Sequence, residues 1–382
     1  MLGELHVETD SASGGVRFFG PARESAVLHP LWLRERSMEA GCVDPDNHQR
    51  LYEPWELPAD LRVESVRIVG PDRLALSFSD GHRCRLDVDG ILIELGWMSD
   101  PEAPPAPEPW DSNLAARPEA SWMELDDPAR LQALLGGFFR YGFCILHATP
   151  VRPGALAEIA GRFGFLRDTN FGSLFDVMSK PNPSDLAYTG SGILAHSDNP
   201  YRHPVPGIQL LHCLVNEAEG GLSTLVDGLR IAQELERLAP EEAEVLASTP
   251  VRFRYHSDVA IMESRAPLLQ RDAEGRIVQV RLSSRLDYVP PMEPDRLEIF
   301  FSGRRRLHRL AGNPRFEIRF RLRPGMVLMM DNHRLLHGRT AFDHLSGRRH
   351  LQGGYIDHDG PESLYRMLRR GVSVVAVGRD VA

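Results

Sequence analysis

Nothing in this 382-residue chain approaches the ~18 consecutive apolar residues that a membrane-spanning helix needs. The opening, MLGELHVETDSASGG, has neither the basic flank nor the apolar centre of a signal peptide. A cytoplasmic protein that uses no membrane is the expectation. Cysteine is scarce: Cys42, Cys84, Cys144 and Cys213 are four in all and widely spaced. Such spacing excludes a disulfide framework and reads as reduced thiols. Basic excess is lacking as well. The net charge of −9 argues against a general nucleic-acid binder. No internal repeat is visible. What remains is ordinary: 42% hydrophobic and 25% charged residues, at a length that favours two domains.

Residues 1–98 read as a small β-rich domain. VRFF (16–19), AVLH (26–29), RLALSF (73–78), RCRLDV (83–88) and ILIEL (91–95) are short runs beside Gly, Pro or Asp, which predicts strands. Residues 99–120 are Pro-dense and acidic, and predict an extended linker. Residues 121–382 form the third segment. Asp126-Asp127-Pro128 predicts a capped helix over 128–140, followed by a buried strand at 143–146 and a helix after Pro153. A helix fits 229–239, and strands fit 193–197, 207–214, 251–255, 277–283, 316–322, 326–331 and 349–356. Strands dominate and helices cluster early. The fold class is therefore mainly β with flanking helices: a double-sheet jelly roll plus the N-terminal β-rich domain.

The chemistry concentrates in YTGSGILAHSDNPY, residues 188–201. In an extended chain, His196 and Asp198 point to the same side. They are two members of the 2-His-1-carboxylate set that holds Fe(II) and leaves positions open. Alone the motif is weak, since about one H-x-D arises by chance at this length. A second, His256-Ser257-Asp258, sits in the Arg-rich VRFRYHSD and is expected to lie outside the site. Downstream, the apolar run 326–330 leads into DNHRLLHGR, where His337 falls on a strand past a turn and His333 reads as a neighbour only. Arg349, in RRHLQGGY, suits a bidentate grip on a carboxylate, while Arg348 faces the other way.

HSD (196–198), GGLSTLVDG (220–228), DNHRLLHGR (331–339) and RRHLQGGY (348–355), together with LWLRER near Trp32, resemble the γ-butyrobetaine hydroxylase branch of the Fe(II)/2-oxoglutarate dioxygenases. The resemblance covers nearly the whole chain. It implies a double-stranded β-helix (jelly-roll) catalytic domain, a homodimer, and Fe(II), 2-oxoglutarate and O2 as cofactors. It makes His196, Asp198 and His337 the metal ligands, with no further catalytic acid or base. It makes Arg349 the partner of the 2-oxoglutarate distal carboxylate, with Leu211 and Ser223 lining that pocket.

For the substrate, the resemblance implies a small zwitterion with a trimethylammonium group in an aromatic cage, carried here by Phe171, Phe175, Tyr188 and Tyr355. A quaternary ammonium has no N–H to donate, so ring faces must hold it. Asp185 could add a carboxylate to the cage or cap a turn. Asn199, Tyr201 and Arg285 fall at the anion end. An arginine there resembles the subgroup acting on 2-(trimethylammonio)ethylphosphonate, hydroxylated beside phosphorus. The alternatives are γ-butyrobetaine hydroxylation to carnitine, a taurine-type sulfonate dioxygenase and a non-catalytic betaine binder. The family's N-terminal zinc is doubtful here: Ser37 and Glu39 stand at two of its cysteine positions, and only Cys42 and His82 remain, with Cys84, His48 or Glu39 as possible substitutes.

Overall fold

The computed structural model describes residues 5–20, 24–178, 191–343 and 345–372. The chain divides into two compact units, Met1–Pro101 and Glu102–Ala382. In the first, His6–Thr9, Val16–Phe19 and Ser25–Leu28 form one antiparallel sheet, and Val63–Val69, Arg73–Phe78 and Arg83–Asp87 another. Inward residues alternate along these strands, and Val16, Phe18, Leu74, Leu76 and Phe78 join one core. ILIEL is not a strand. Val88–Glu94 is a helix capped by the Asp87 side chain. Val88, Ile91, Leu92 and Leu95 have helical rather than alternating spacing, and all four pack on the core.

The cluster around Cys42 and His82 does not fit a zinc ion. The Arg34 guanidinium lies 3.6 Å from the Cys42 sulfur and pairs with Asp80 at 3.3 Å. A fixed cation there repels a dication. Ser37 Oγ meets His82 Nε2 at 3.0 Å. Glu39 accepts the Arg85 backbone N–H, and burial pushes the Cys84 thiol up to about 11. Arginine and serine thus supply hydrogen bonds where thiolates would supply ligands.

The second unit is a jelly roll. One sheet runs Glu119–Ser121, Phe143–His147, Val327–Asp331, Ile208–Asn216, Arg349–Ile356, Leu174–Met178. The other runs Ile193–His196, Leu335–Arg339, Ser223–Asp227, Glu317–Phe320. Phe143, Ile145, Leu328, Met330 and Leu351 from the first face Leu225, Ile318, Phe320 and Leu335 from the second. The larger sheet's other face packs under helices Pro128–Tyr141, Ala155–Ala160 and Asp359–Arg369, through Leu135, Phe138, Ile159 and Leu364. Burial on both faces is why its strands read as continuous apolar runs. Each such side chain contributes about 1.5–3 kcal/mol.

Asp127 caps Pro128–Tyr141, and Gly142 ends it in the left-handed region, as the Asp-Asp-Pro signal predicts. Helices do not cluster early. Pro240–Ser248, Pro294–Ala311 and Asp359–Arg369 come late, and 294–311, at 18 residues, is the longest among the described residues. Its run of arginines masks a buried stripe of Phe300, Gly303, Leu307 and Leu310. Among the described residues no helix is long and apolar enough to cross a membrane.

Part of the Pro-rich stretch packs into the second unit. From Glu102 on it belongs to the second unit, and Trp110 is buried against Phe143. Trp110 N–H donates to Asp227, whose buried carboxylate also caps Gly228–Leu238 and pairs with Arg334 at 2.7 Å. Arg334 donates further to the carbonyls of Arg140 and Glu108. Proline density predicts the absence of helix and strand. It does not predict whether one tryptophan anchors the segment.

Candidate active site

His196 and His337 are directly opposite each other on neighbouring antiparallel strands. Cross-strand partners stand close enough to touch, and here the imidazole centroids are 4.4 Å apart. His196 Nδ1 meets the Leu194 carbonyl at 2.9 Å, which leaves Nε2 to face inward. Asp198 follows two residues on. Its Oδ1 lies 3.4 Å from His196 Nε2, and its Oδ2 3.9 Å from His337 Nε2. Two imidazoles and one carboxylate thus converge, a set suited to Fe(II) with open positions.

The charge states agree with ligation. Burial, opposed by Asp198 and reinforced by His196 and Arg285, brings His337 down to about 4. The ring is neutral at pH 7, the form that binds metal. Burial raises the Asp198 carboxyl, yet His337, His196 and Tyr355 outweigh it and hold it below the ordinary carboxylate range.

Asn332, inside DNHRLLHGR, holds the loop that carries Asp198. Its side-chain oxygen accepts the Asp198 N–H at 2.7 Å, and its nitrogen donates to the carbonyls of Asp198 and Pro206. Ser197 exchanges hydrogen bonds with Leu282, which brings the 283–286 segment beside the metal motif.

The donors open onto a cavity of about 370 Å3. Leu211, Ser223 and Arg349 line one end. Arg349 is only 8% exposed, and among the described residues its guanidinium meets no hydrogen-bond or ion-pair partner. Burial, with Arg339 and Arg321 nearby, draws it down to about 10. A buried unpaired cation is costly without an anion, so this end fits a carboxylate ligand. Arg348, just before the strand that starts at Arg349, points out and pairs with Glu217. Arg339 lines the same end and donates to the Ser191 carbonyl. Its signal was present in the sequence, two residues beyond His337 on the same strand.

The other end is aromatic. Phe171, Phe175 and Tyr355 all line it. Phe175 and Tyr355 have centroids 5.4 Å apart, Phe171 and Phe175 6.4 Å. Phe175 lies opposite Gly353 in register, and a Cβ at 353 would sit 2.4 Å from its ring. Glycine there lets the ring lie flat across the strand. Tyr188 and Asp185 lie outside the described residues. Sequence reasoning missed Tyr255, which closes the wall between Phe171 (5.9 Å) and Tyr201 (5.0 Å, stacked). It also placed His256 outside the site, whereas His256 lines the cavity next to Tyr255. The strand Val251–Ser257 carries both residues there, through pairing that no local motif encodes.

Asn199, Tyr201 and Arg285 line the same cavity. Tyr201 is buried, and its hydroxyl donates to Asn199 Oδ1 at 2.6 Å. Asn199 Nδ2 is buried without a hydrogen-bond partner among the described residues. Arg285 is exposed at the mouth. His333 is not at the metal centre. With Asp331 and His358 it forms the second donor group among the described residues. His358 Nε2 lies 3.1 Å from Asp331 Oδ1 there.

Comparison with known proteins agrees with this geometry. The family model "Taurine catabolism dioxygenase TauD, TfdA family" matches residues 106–355, and "Gamma-butyrobetaine hydroxylase-like, N-terminal" matches residues 18–86. A gamma-butyrobetaine dioxygenase of Pseudomonas sp. (strain AK-1) is 35% identical, over 89% of this chain and 90% of its own. A trimethyllysine dioxygenase of Meyerozyma guilliermondii is 26% identical, over 91% of this chain and 92% of its own. Among solved structures, the PvcB protein of Pseudomonas aeruginosa aligns over 68% of this chain and 93% of its own. Its TM-score is 0.47 at 20% identity. With both units matched in order, the chain belongs to the TauD/TfdA dioxygenases, in their γ-butyrobetaine hydroxylase-like branch.

Proposed function

We propose that this dioxygenase is an Fe(II)- and 2-oxoglutarate-dependent hydroxylase of a small trimethylammonium zwitterion, with 2-(trimethylammonio)ethylphosphonate as substrate. The observation that carries the reading is the make-up of one cavity. The donor triad, an unpaired buried arginine, a wall of aromatic rings and an arginine at the mouth all face the same space. His196, Asp198 and His337 would hold iron. Arg349 would hold the distal carboxylate of 2-oxoglutarate, beside Leu211 and Ser223. Iron with 2-oxoglutarate and O2 would supply an oxidant able to replace an unactivated C–H bond by C–OH, O2 being the electron acceptor and 2-oxoglutarate being oxidised to succinate and CO2. The chain's own residues bind, orient and exclude water.

The rings of Phe171, Phe175 and Tyr355 would take the ammonium, at about 0.5–2 kcal/mol each when desolvated. Tyr188 and Asp185 join them by resemblance. Tyr201 orients Asn199, whose amide nitrogen has no hydrogen-bond partner among the described residues and can donate to the substrate's anion, and Arg285 adds charge. A phosphonate approaches a dianion and offers three acceptor oxygens, which favours a guanidinium over a neutral amide.

The second reading is γ-butyrobetaine hydroxylation to carnitine, favoured by the 35% identical Pseudomonas relative and its name. In both substrates the oxidised carbon is the second from nitrogen. The same cage therefore presents the same C–H, and only the anion end differs. The test is kcat/KM for both compounds in wild type and in Arg285→Ala. Charge-assisted hydrogen bonds of about 1.5–3 kcal/mol predict a roughly 10- to 150-fold loss for the phosphonate and a smaller one for the carboxylate. Faster wild-type turnover of γ-butyrobetaine supports the second reading. An equally small effect of Arg285→Ala on both compounds would mean that Arg285 does not meet the anion.

A further inference from the structure

The two oxygens of Asp198 do different work. Oδ1 faces His196 Nε2 at 3.4 Å. Oδ2 accepts two hydrogen bonds from the opposite sheet, from Gln209 Nε2 at 2.5 Å and from Tyr355 OH at 2.8 Å. Gln209 and Tyr355 are direct cross-strand partners in that sheet, so their side chains rise from it side by side. Both residues are buried, at 2% and 3% exposure. Gln209 Oε1 has no hydrogen-bond partner among the described residues, and among them the amide's side-chain hydrogen bond is the one to Asp198. The Tyr355 ring, meanwhile, packs against Phe175 in the aromatic wall.

From this geometry we infer that Tyr355 and Gln209 are positioning residues that pin Asp198 Oδ2, so that Oδ1 alone reaches the metal. A carboxylate free to rotate about its terminal bond can bind with both oxygens and fill a position that co-substrate or oxygen needs. Two donors on one oxygen remove that option. Tyr355 does a second thing. Its ring belongs to the cage and its hydroxyl belongs to the metal ligand, so a cation packed on the ring bears on the ligand's position through a single rigid side chain. The cage role expected of Tyr355 is then half of its function.

The inference rests on the triad reading above, and the experiment separates the two. Full-length protein without metal is titrated with Co(II), an oxygen-stable probe, and Kd and the visible spectrum are recorded. His196→Ala and His337→Ala test the triad, and both should abolish binding. Tyr355→Phe keeps the ring and removes the hydroxyl, and Gln209→Leu removes the second donor. Each should weaken Co(II) about 10- to 100-fold and shift the spectrum, while the metal-free protein keeps a single cooperative melting transition. At saturating Fe(II), Tyr355→Phe should lower kcat and leave KM for the ammonium substrate close to wild type. Phe175→Ala should raise that KM with Co(II) binding unchanged. If the histidine variants lose the metal while Tyr355→Phe and Gln209→Leu bind it with wild-type affinity and spectrum, the positioning role is overturned and the triad stands. Co(II) bound normally by the histidine variants overturns both.

Discussion

Arg349→Met offers an unusual sign of effect. Arg349 is 8% exposed and without a hydrogen-bond or ion-pair partner among the described residues, with Arg339 and Arg321 adding like charge. Most removals of a buried charged residue cost stability because a partner is stranded. Among the described residues the guanidinium lies 5.5 Å from the Phe342 ring and has no carboxylate partner to strand. Methionine keeps most of the volume and removes an uncompensated charge, so the co-substrate-free protein should melt at the wild-type temperature or above it. With 2-oxoglutarate the sign reverses. Losing one side of a buried, hydrogen-bonded charge pair costs about 2–5 kcal/mol, which is a roughly 30- to 4,000-fold rise in Kd at 1.4 kcal/mol per tenfold. Wild type at 100 times Kd gains about 2.7 kcal/mol by linkage, and the variant at that concentration should gain about 0.9 kcal/mol at most, falling to almost nothing at the upper end of that range. The assay is thermal melting with and without 2-oxoglutarate, in metal-reconstituted protein, beside direct titration. A variant that melts well below wild type when free, and is still stabilised by 2-oxoglutarate, would refute the reasoning, because Arg349 would then be a structural cation with an internal partner.

Other expectations follow from the same structure. Arg334→Ala strands the Asp227 carboxylate at zero exposure and frees the Trp110 segment, so stability should fall by about 3–5 kcal/mol; chemical denaturation measures it, and a loss below 1 kcal/mol contradicts it. His358→Gln should cost about 1 kcal/mol within a pH window. The effect of burial on His358 is outweighed by Asp331, with Glu362 and Asp357 adding, and its pKa is raised above 6.5; that stability is full below 6.5 and fades as pH passes the raised value. Asp331, lowered from 3.8 as His358 and His333 outweigh burial, contributes above 3.8 and loses it as pH falls. The wild-type advantage should therefore peak between these values, and a flat melting difference from pH 4 to 9 excludes the pair. Zinc-selective chelation should leave the melting temperature of iron-reconstituted protein unchanged, since Arg34 stands at Cys42. A downward shift would place zinc in the N-terminal unit.

Much of the site was legible without coordinates because it is written in short-range geometry. A spacing of two keeps Asp198, just past the strand that ends at His196, within reach of the same centre. Adjacent positions point Arg349 in and Arg348 out. Asp127-Pro128 caps a helix by chemistry internal to four residues. These hold wherever the segment is placed. The exceptions are equally physical. ILIEL carries β-formers, yet it is helix because Asp87 caps it and a core waits on one side. The arginines of Pro294–Ala311 hide an apolar stripe from a reading by average hydropathy.

By itself the sequence determined the donor types, their order and the strands that carry them. Only the tertiary structure decided which of those strands become neighbours, and in what register. That is why His337 faces His196, why Gln209 and Tyr355 reach the same oxygen, and why Tyr255 and His256 enter the cavity. The physical reason is that register is a property of a pair of strands, set by the core both must bury, and no single segment contains it.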